Sequence, residues 1–406
     1  MASILLPDPF FITQLSAVRA LGRRGDTCEV AWPYGALKRC FGSRYVRKVH
    51  HRMASYATEP TRYAEDVLRL CQEKNFDVVL PASLESTEAL LPVKSDLQQH
   101  VAVLLPTEEQ LAIGSDKSRT FDFCDRLGIL HPQTWTIRNS DDLDRLSREA
   151  DYPIVLKHTR NLGGSRGVRF VGNSQELLEA HEYLSCLRKE SSPILAQEYI
   201  PGLLFDAVTV ARDGVCPQIF TSARKLMYPV SGGVTCISVS TRSEELKRIA
   251  RSIVSALDWN GPIEMEFKLD ARDGKFKLIE INPRFWASLD SAIRCGVNFP
   301  AIAVDLALGR EVRPVNEHEY GARHKFLLGR VPYAYWQLVR INGLGSIRDP
   351  QQYLRTTYDI DLRDPMPDLF TVLLLMRNLL MGRFPKRLSD GARRMILPLE
   401  TEVPYA

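Results

Sequence analysis

Glu280-Ile281-Asn282-Pro283-Arg284, with Glu266 fourteen positions upstream, is the part of this chain best suited to chemistry. The two parts belong to apolar runs, IEMEFKLD (263–270) and KFKLIEIN (275–282). Between them lies Ala271-Arg272-Asp273-Gly274, whose Asp-Gly pair suits a hairpin. Side chains alternate faces along a strand, so Glu280 and Asn282 point the same way, about 7 Å apart at roughly 3.3 Å per residue. A register that puts Ile263, Met265, Phe267 and Leu269 on one face with Ile279 and Ile281 leaves Glu264, Glu266, Glu280 and Asn282 on the other. Carboxylates that close repel unless something positive sits between them. Two carboxylates and an amide oxygen are hard ligands, which suits Mg²⁺ carried on a nucleotide's phosphates. Arg284, just past the strand end, is placed to hold a phosphate or a developing negative charge. The plainer reading of the same stretch is an exposed hairpin face with solvated charges.

Three other stretches could serve such a site, each with an ordinary alternative. Lys157 closes an apolar strand and faces a loop with Gly163, Gly164, Ser165 and Gly167. Glycines let backbone N–H groups approach phosphate oxygens and the lysine adds a point charge, although a mobile hairpin with a solvated lysine has the same sequence. Gln197-Glu198-Tyr199-Ile200 alternates before Pro201-Gly202, and such a strand end can present backbone groups to an adenine edge or simply meet a turn. Arg224-Lys225, near Tyr228-Pro229 and Ser231-Gly232-Gly233, could hold a carboxylate or phosphoryl group, or be a solvated basic turn.

The elements that must carry these residues fall into blocks. Residues 1 to about 115 alternate strands (3–7, 28–32, 76–83, 100–106) with helical stretches (11–25, 61–75, 84–99), which implies a parallel α/β layer. No Gly-rich dinucleotide fingerprint follows the first strand, so NAD or FAD is not expected there. From Ser115 come a helix with Lys117 near its start, a polar helical stretch (140–150), strands at 152–158 and 169–172, another helix, and the strand 194–200. A hairpin around Asp213-Gly214 (206–224) and a helix from Glu244 to Asp258 precede the acidic hairpin. Substrate selection is assigned to loops around 224–236 and 285–300.

Composition excludes more than it assigns. At 406 residues, two or three domains are expected. The net charge of +4 is too mild to argue for nucleic acid. The eight cysteines are scattered without metal-ligand spacing, which reads as reduced thiols in the cytoplasm. No Ser/His nucleophile pattern appears. The N-terminus does not read as a signal peptide, and the apolar run Leu369–Met376 is far short of the ~20 residues that span a bilayer.

With Lys117, Lys157, the glycine loop, QEYIPG, Glu266 and EINPR in this order, the chain resembles the ATP-grasp superfamily from residue 1 to about 310. NPRFWAS (282–288) is similar to carboxylate ligases related to the carbamoyl-phosphate synthetase large chain. The resemblance implies a parallel α/β domain (1–115), an α+β ATP-grasp domain of two subdomains (116–310, lid about 116–195) and a C-terminal, partly helical extension (311–406). It implies that Lys117 and Lys157 contact phosphates, with Gly163, Gly164 and Ser165 closing over them. Gln197, Glu198, Tyr199 and Ile200 would line the adenine pocket. Glu266, Glu280 and Asn282 would hold Mg²⁺, for which Mn²⁺ can substitute. Arg284 would stabilise the transferred phosphoryl group, with Lys225 beside the second substrate. Where the family often has a ribose-binding Glu this chain has Leu204, leaving Asp206 as the implied substitute. The implied reaction activates a carboxylate with the γ-phosphate of ATP for attack by an amine, or less often a thiol. A catalytically silent ATP-binding sensor or scaffold is the alternative.

The tail falls outside the resemblance. Between Thr371 and Ile396 six Lys/Arg (Arg377, Arg383, Lys386, Arg387, Arg393, Arg394) face one acid, Asp390. Such a basic, apolar segment (365–396) can lie on an anionic membrane surface, meet a protein partner, or pack on the body of the protein.

Overall fold

The computed structural model describes residues 1–8, 12–33, 42–160, 167–187, 193–315, 319–328, 331–381 and 401–405. Gly163, Gly164 and Ser165 lie outside the described residues, as do Arg383, Lys386, Arg387, Arg393 and Arg394 of the tail.

The N-terminal layer is a five-stranded parallel sheet: β1 (Ser3–Leu6), β2 (Thr27–Pro33), β3 (Val46–Met53), β4 (Val78–Val79) and β5 (Ala102–Val103), in the order β3-β2-β1-β4-β5. Its helices are α1 (Ile12–Arg24), α2 (Pro60–Glu73), α3 (Leu84–Leu90) and α4 (Lys94–Leu97). Apolar residues cover both faces of this sheet, Ile4, Leu6, Val30 and Val78 on one and Leu5, Ala31 and Val79 on the other. The strand expected over 76–83 shrinks to Val78–Val79. The helix expected over 84–99 is broken by a 3₁₀ turn at Leu91–Val93, where Pro92 cannot donate to a continuous ladder. Strand β3 (VRKVHHRM) was hidden in the sequence because half of its side chains are exposed at the sheet edge and only two are buried.

Helices α5 (Glu108–Ser115) and α6 (Lys117–Leu127) lead into a four-stranded antiparallel sheet. It comprises β6 (Thr134–Ile137), β7 (Ile154–His158), β8 (Val168–Val171) and β9 (Ile194–Glu198), ordered β6-β9-β7-β8 and covered by α7 (Ser140–Glu149) and α8 (Ser174–Cys186). The largest sheet follows: β10 (Leu204–Ala211), β11 (Ile219–Tyr228), β12 (Val234–Thr241), then α9 (Glu244–Ala256), β13 (Gly261–Leu269) and β14 (Phe276–Asn282). Helices α10 (Leu289–Arg294) and α11 (Phe299–Ala307) pack back towards α1.

The acidic hairpin forms with one change of register. Glu264 faces Asn282 and Glu266 faces Glu280, but Phe267 then faces Leu278. Ile279 is the extra residue of a β-bulge, so it does not join Ile281 in the core as strict alternation requires. Phe276, Leu278 and Ile281 are buried there instead. The bulge is what keeps both Leu278 inside and Glu280 outside.

The sheet runs on past residue 310. Strands β15 (Ala322–Lys325) and β16 (Arg355–Tyr358) extend it to seven, in the order β14-β13-β10-β11-β12-β15-β16, with α12 (Val331–Asn342) packed on β11 and β12. Residues 359–371 then cross to α1, where buried Arg19 meets Asp361 (3.6 Å), Asp364 (2.9 Å) and Asp368 (2.8 Å). The last helix, α13 (Pro365–Leu380), buries Asp368 and Thr371 but leaves Met366, Leu369, Leu373, Met376 and Leu380 more than half exposed. Among the described residues no helix is long and apolar enough to cross a membrane.

Candidate functional site

The site is built on one face of β10, β11, β13 and β14. Cross-strand pairing places Asp206 opposite Glu266, Glu266 opposite Glu280, and Glu264 opposite Asn282. Three carboxylates, Asp206, Glu264 and Glu266, are buried with ligand oxygens within 4.8 Å of one another, the one such acidic, Cys or His set among the described residues. Asn282 bridges this group to Glu280, donating Nδ2 to Glu266 Oε1 (3.2 Å) and to Glu280 Oε1 (3.1 Å). Its Oδ1 accepts from Arg284 Nη2 (3.1 Å), while Arg284 Nη1 meets Glu264 Oε2 (3.2 Å).

Two lysines arrive from the other side. Asp116 caps α6 by accepting from Ser118 and Arg119 N–H (2.9 and 3.2 Å), and the Lys117 N–H donates to Thr159 O (2.9 Å) at the end of β7. This ties the start of α6 to β7, which carries Lys157, and Lys117 Nζ reaches Glu280 Oε2 at 2.9 Å. Lys157 is buried, with Nζ 5.8 Å from the Phe121 ring centroid. Burial, reinforced by Lys117, pulls its amine down to about 7, against the attraction of Glu280 and Glu266. Burial alone would raise Glu280, but the charge and hydrogen bond of Lys117, with Lys157 behind it, hold that carboxyl well below its ordinary range. Glu266, Glu264 and Asp206 are pushed upward, chiefly by burial, with Arg224 and Arg284 opposing. The site thus holds one firmly ionised carboxylate, Glu280, beside three whose charge depends on neighbouring cations.

Strand β9 and the two residues after it place each expected adenine contact differently. Gln197 is buried and donates Nε2 to Thr134 Oγ1 (2.9 Å), and Glu198 pairs with Arg272 (2.5 Å). Their side chains are thereby engaged within the fold. Tyr199 stands edge-on to Phe170 (6.2 Å between centroids), and Ile200 is buried. Asp206, the implied ribose contact, is fully buried in the acidic group.

Arg224 and Lys225 part company. Arg224 enters the acidic group, with Nε donating to Asp206 (2.9 Å) and Nη2 to Glu264 (3.1 Å) and Glu266 (2.7 Å). Lys225 is not brought to the carboxylates: a register shift follows Arg224, and its amine is buried against Gln351 (3.1 Å), Asp349 (3.8 Å) and the Thr401 carbonyl. Neither residue forms a solvated turn, because residues 224–228 continue β11 and the pairing resumes in β12. Strand alternation puts Glu264 on this face without giving it a ligand role, and nothing in the spacing of Arg224 brings it to the acids.

A family model described as "ATP-grasp in the biosynthetic pathway with Ter operon" matches residues 193–327. Over 229 residues the chain is 27% identical to the arginine-specific large chain of carbamoyl phosphate synthase from Halalkalibacterium halodurans, covering 54% of this chain and 21% of that one. It is 23% identical over 272 residues to the N-terminal section of that synthase's large chain from Methanopyrus kandleri, covering 64% and 48%. The chain therefore spans between about a fifth and about half of the length of these relatives. The fold is similar to that of a biotin carboxylase complex from Campylobacter jejuni (TM-score 0.62, 18% identity, 79% of this chain and 74% of that one). It is also similar to an L-amino acid ligase from Bacillus licheniformis (TM-score 0.57, 18% identity, 76% and 74%).

Proposed function

We propose that this chain, which belongs to the ATP-grasp superfamily, is an ATP- and Mg²⁺-dependent ligase that activates a carboxylate for attack by an amine or thiol. The observation that carries this reading is Glu280, held between Lys117 and Asn282 on a floor shared with Glu266 and Arg284.

The donor set fits a hard cation: Glu280, held ionised, lies beside Glu266 and the Asn282 carboxamide, all oxygen donors. Glu266, Glu280 and Asn282 would hold Mg²⁺, with the Asn282 carboxamide turned over to present Oδ1. The bound ion would neutralise charge on the phosphates. Lys117 and Lys157 bind those phosphates, and the amine of Lys157, near neutrality in the buried site, gains its proton beside them. Arg284, beyond the strand end, orients the acid and the phosphoryl group between them. The acid's oxygen attacks the γ-phosphorus and ADP leaves, forming an acyl-phosphate. The nucleophile then attacks the carbonyl carbon, expelling phosphate and losing its proton. Positioning and charge neutralisation by these side chains supply most of the acceleration.

The test is phosphate release from Mg·ATP across pools of carboxylic acids combined with amino acids, polyamines and thiols. Release that requires both an acid and a nucleophile is the expected result. Tight ATP binding with no stimulated release in any pool would instead favour an ATP-binding sensor or scaffold.

A further inference from the structure

The three-carboxylate group found among the described residues already contains a cation, and that cation is a side chain. Asp206, Glu264 and Glu266 bring ligand oxygens within 4.8 Å of one another, an arrangement that would suit a divalent ion. Arg224 reaches all three from β11: Asp206 at 2.9 Å through Nε, and Glu264 and Glu266 at 3.1 and 2.7 Å through Nη2. All four side chains are buried. A guanidinium stays protonated and presents a fixed fork of donors, so the charge is permanent and its geometry set.

We propose that Arg224 is a resident cation that fills the Asp206–Glu264–Glu266 pocket and keeps it closed to free metal, so that metal enters only with nucleotide, at the Glu280–Asn282 edge. This deepens the ligase reading and rests on its placement of the metal on this floor. Arg224 acts as a positioning residue: it holds Glu266 in place and removes the affinity that three buried carboxylates would otherwise have for a divalent ion. The adjoining charges fit this division. Lys117 holds Glu280 and Arg284 holds the second oxygen of Glu264, but Asp206 has no cation other than Arg224 within ion-pair distance among the described residues.

The experiment is a nucleotide-free Mn²⁺ titration of the full chain, followed by the paramagnetic signal of free Mn²⁺ and by thermal unfolding. Wild type should show no site in this pocket. Arg224→Met should bind one Mn²⁺ at least about tenfold more tightly, since the repelling guanidinium is gone. Its unfolding temperature should rise with Mn²⁺ while that of wild type does not. Adding Asp206→Asn to Arg224→Met should remove both gains. Arg224→Lys, whose single ammonium cannot span three carboxylates, should fall between, and supplies the readout if the Met variant does not fold. Nucleotide-free Mn²⁺ binding by wild type that Asp206→Asn abolishes would overturn the proposal. So would an Arg224→Met or Arg224→Lys protein that gains no Mn²⁺ affinity. Wild-type binding of Mg·ATP, measured separately, reports on the ligase reading: its failure would sink that reading whatever the nucleotide-free titration shows.

Discussion

Glu280 differs from the other acids on the floor in how its charge is secured. Lys117 at 2.9 Å and the Asn282 amide at 3.1 Å keep it ionised despite burial, whereas Glu264, Glu266 and Asp206 are all driven towards protonation by the same burial. A group held charged in a buried site is available as a ligand without first giving up a proton. Glu280→Gln keeps the shape and one hydrogen bond while removing that charge. It should lower stimulated phosphate release by about 10²- to 10³-fold, the scale of losing one preorganised electrostatic contact. The far-UV spectrum should be unchanged, because the side chain belongs to the site rather than to the core. A Glu280→Gln protein that consumes ATP at the wild-type rate would remove Glu280 from the metal set.

At the scale of elements, the position of Lys117 depends on where α6 begins. Asp116 caps that helix, and the next N–H is tied to Thr159 O. Asp116→Ala should cost about 1 kcal/mol of stability, as lost caps do, and weaken ATP binding besides, since the first turn carries Lys117. A control at Asp125, an exposed residue near the end of the same helix that pairs with His131, should leave ATP affinity alone. Equal effects at both positions would mean the cap does nothing for the site.

Such local devices explain what could be read in the sequence. The acidic hairpin was legible because period-two alternation and an Asp-Gly turn coincide, and the helix that carries Lys117 because its apolar period ends at a glycine. The bulge at Ile279 was not, since one extra residue changes which face a side chain takes without altering composition. The same physics hid the parting of Arg224 and Lys225. Strand β12 was missed because its buried positions include Ser238 and Ser240, small polar residues that read as loop. Strands β15 (ARHK) and β16 (RTTY) are short and polar, and only the pairing of β15 onto β12 and of β16 onto β15 makes them strands.

At the scale of the molecule, the C-terminal segment joins the large sheet to the N-terminal layer, and two buried groups at that junction titrate in opposite senses. His324 on β15 bonds Thr357 through Nδ1 (2.8 Å), and its Nε2 lies 3.5 Å from Asp290 Oδ2, itself paired with Arg294. Burial lowers the imidazole from 6.5 to about 4, despite the pull of Asp290. Asp359, just past β16, accepts from Leu328 N–H at 3.2 Å through Oδ1, and its Oδ2 has no hydrogen-bond partner among the described residues. Burial raises it from 3.8 to about 6, with Asp290 and Asp368 adding to the shift. Between about pH 4 and 6.5 the unfolded chain holds a proton on His324 that the folded chain does not, so stability from this group rises with pH. Between about pH 3.8 and 6 the folded chain holds the extra proton on Asp359, so stability from that group falls as pH rises. Each shift of somewhat over two units is worth ~3 kcal/mol, so the two slopes nearly cancel. Asp359→Asn leaves the histidine slope unopposed: relative to wild type, this variant should lose up to ~3 kcal/mol as pH falls from 6.5 to 4. His324→Gln should show the reverse, gaining relative stability over the same interval. The measurement is the difference in unfolding free energy between variant and wild type across that range, which subtracts every carboxylate the two proteins share. Parallel curves for wild type and Asp359→Asn would show that the junction does not titrate, and that the charges linking the two layers are fixed from pH 4 upward.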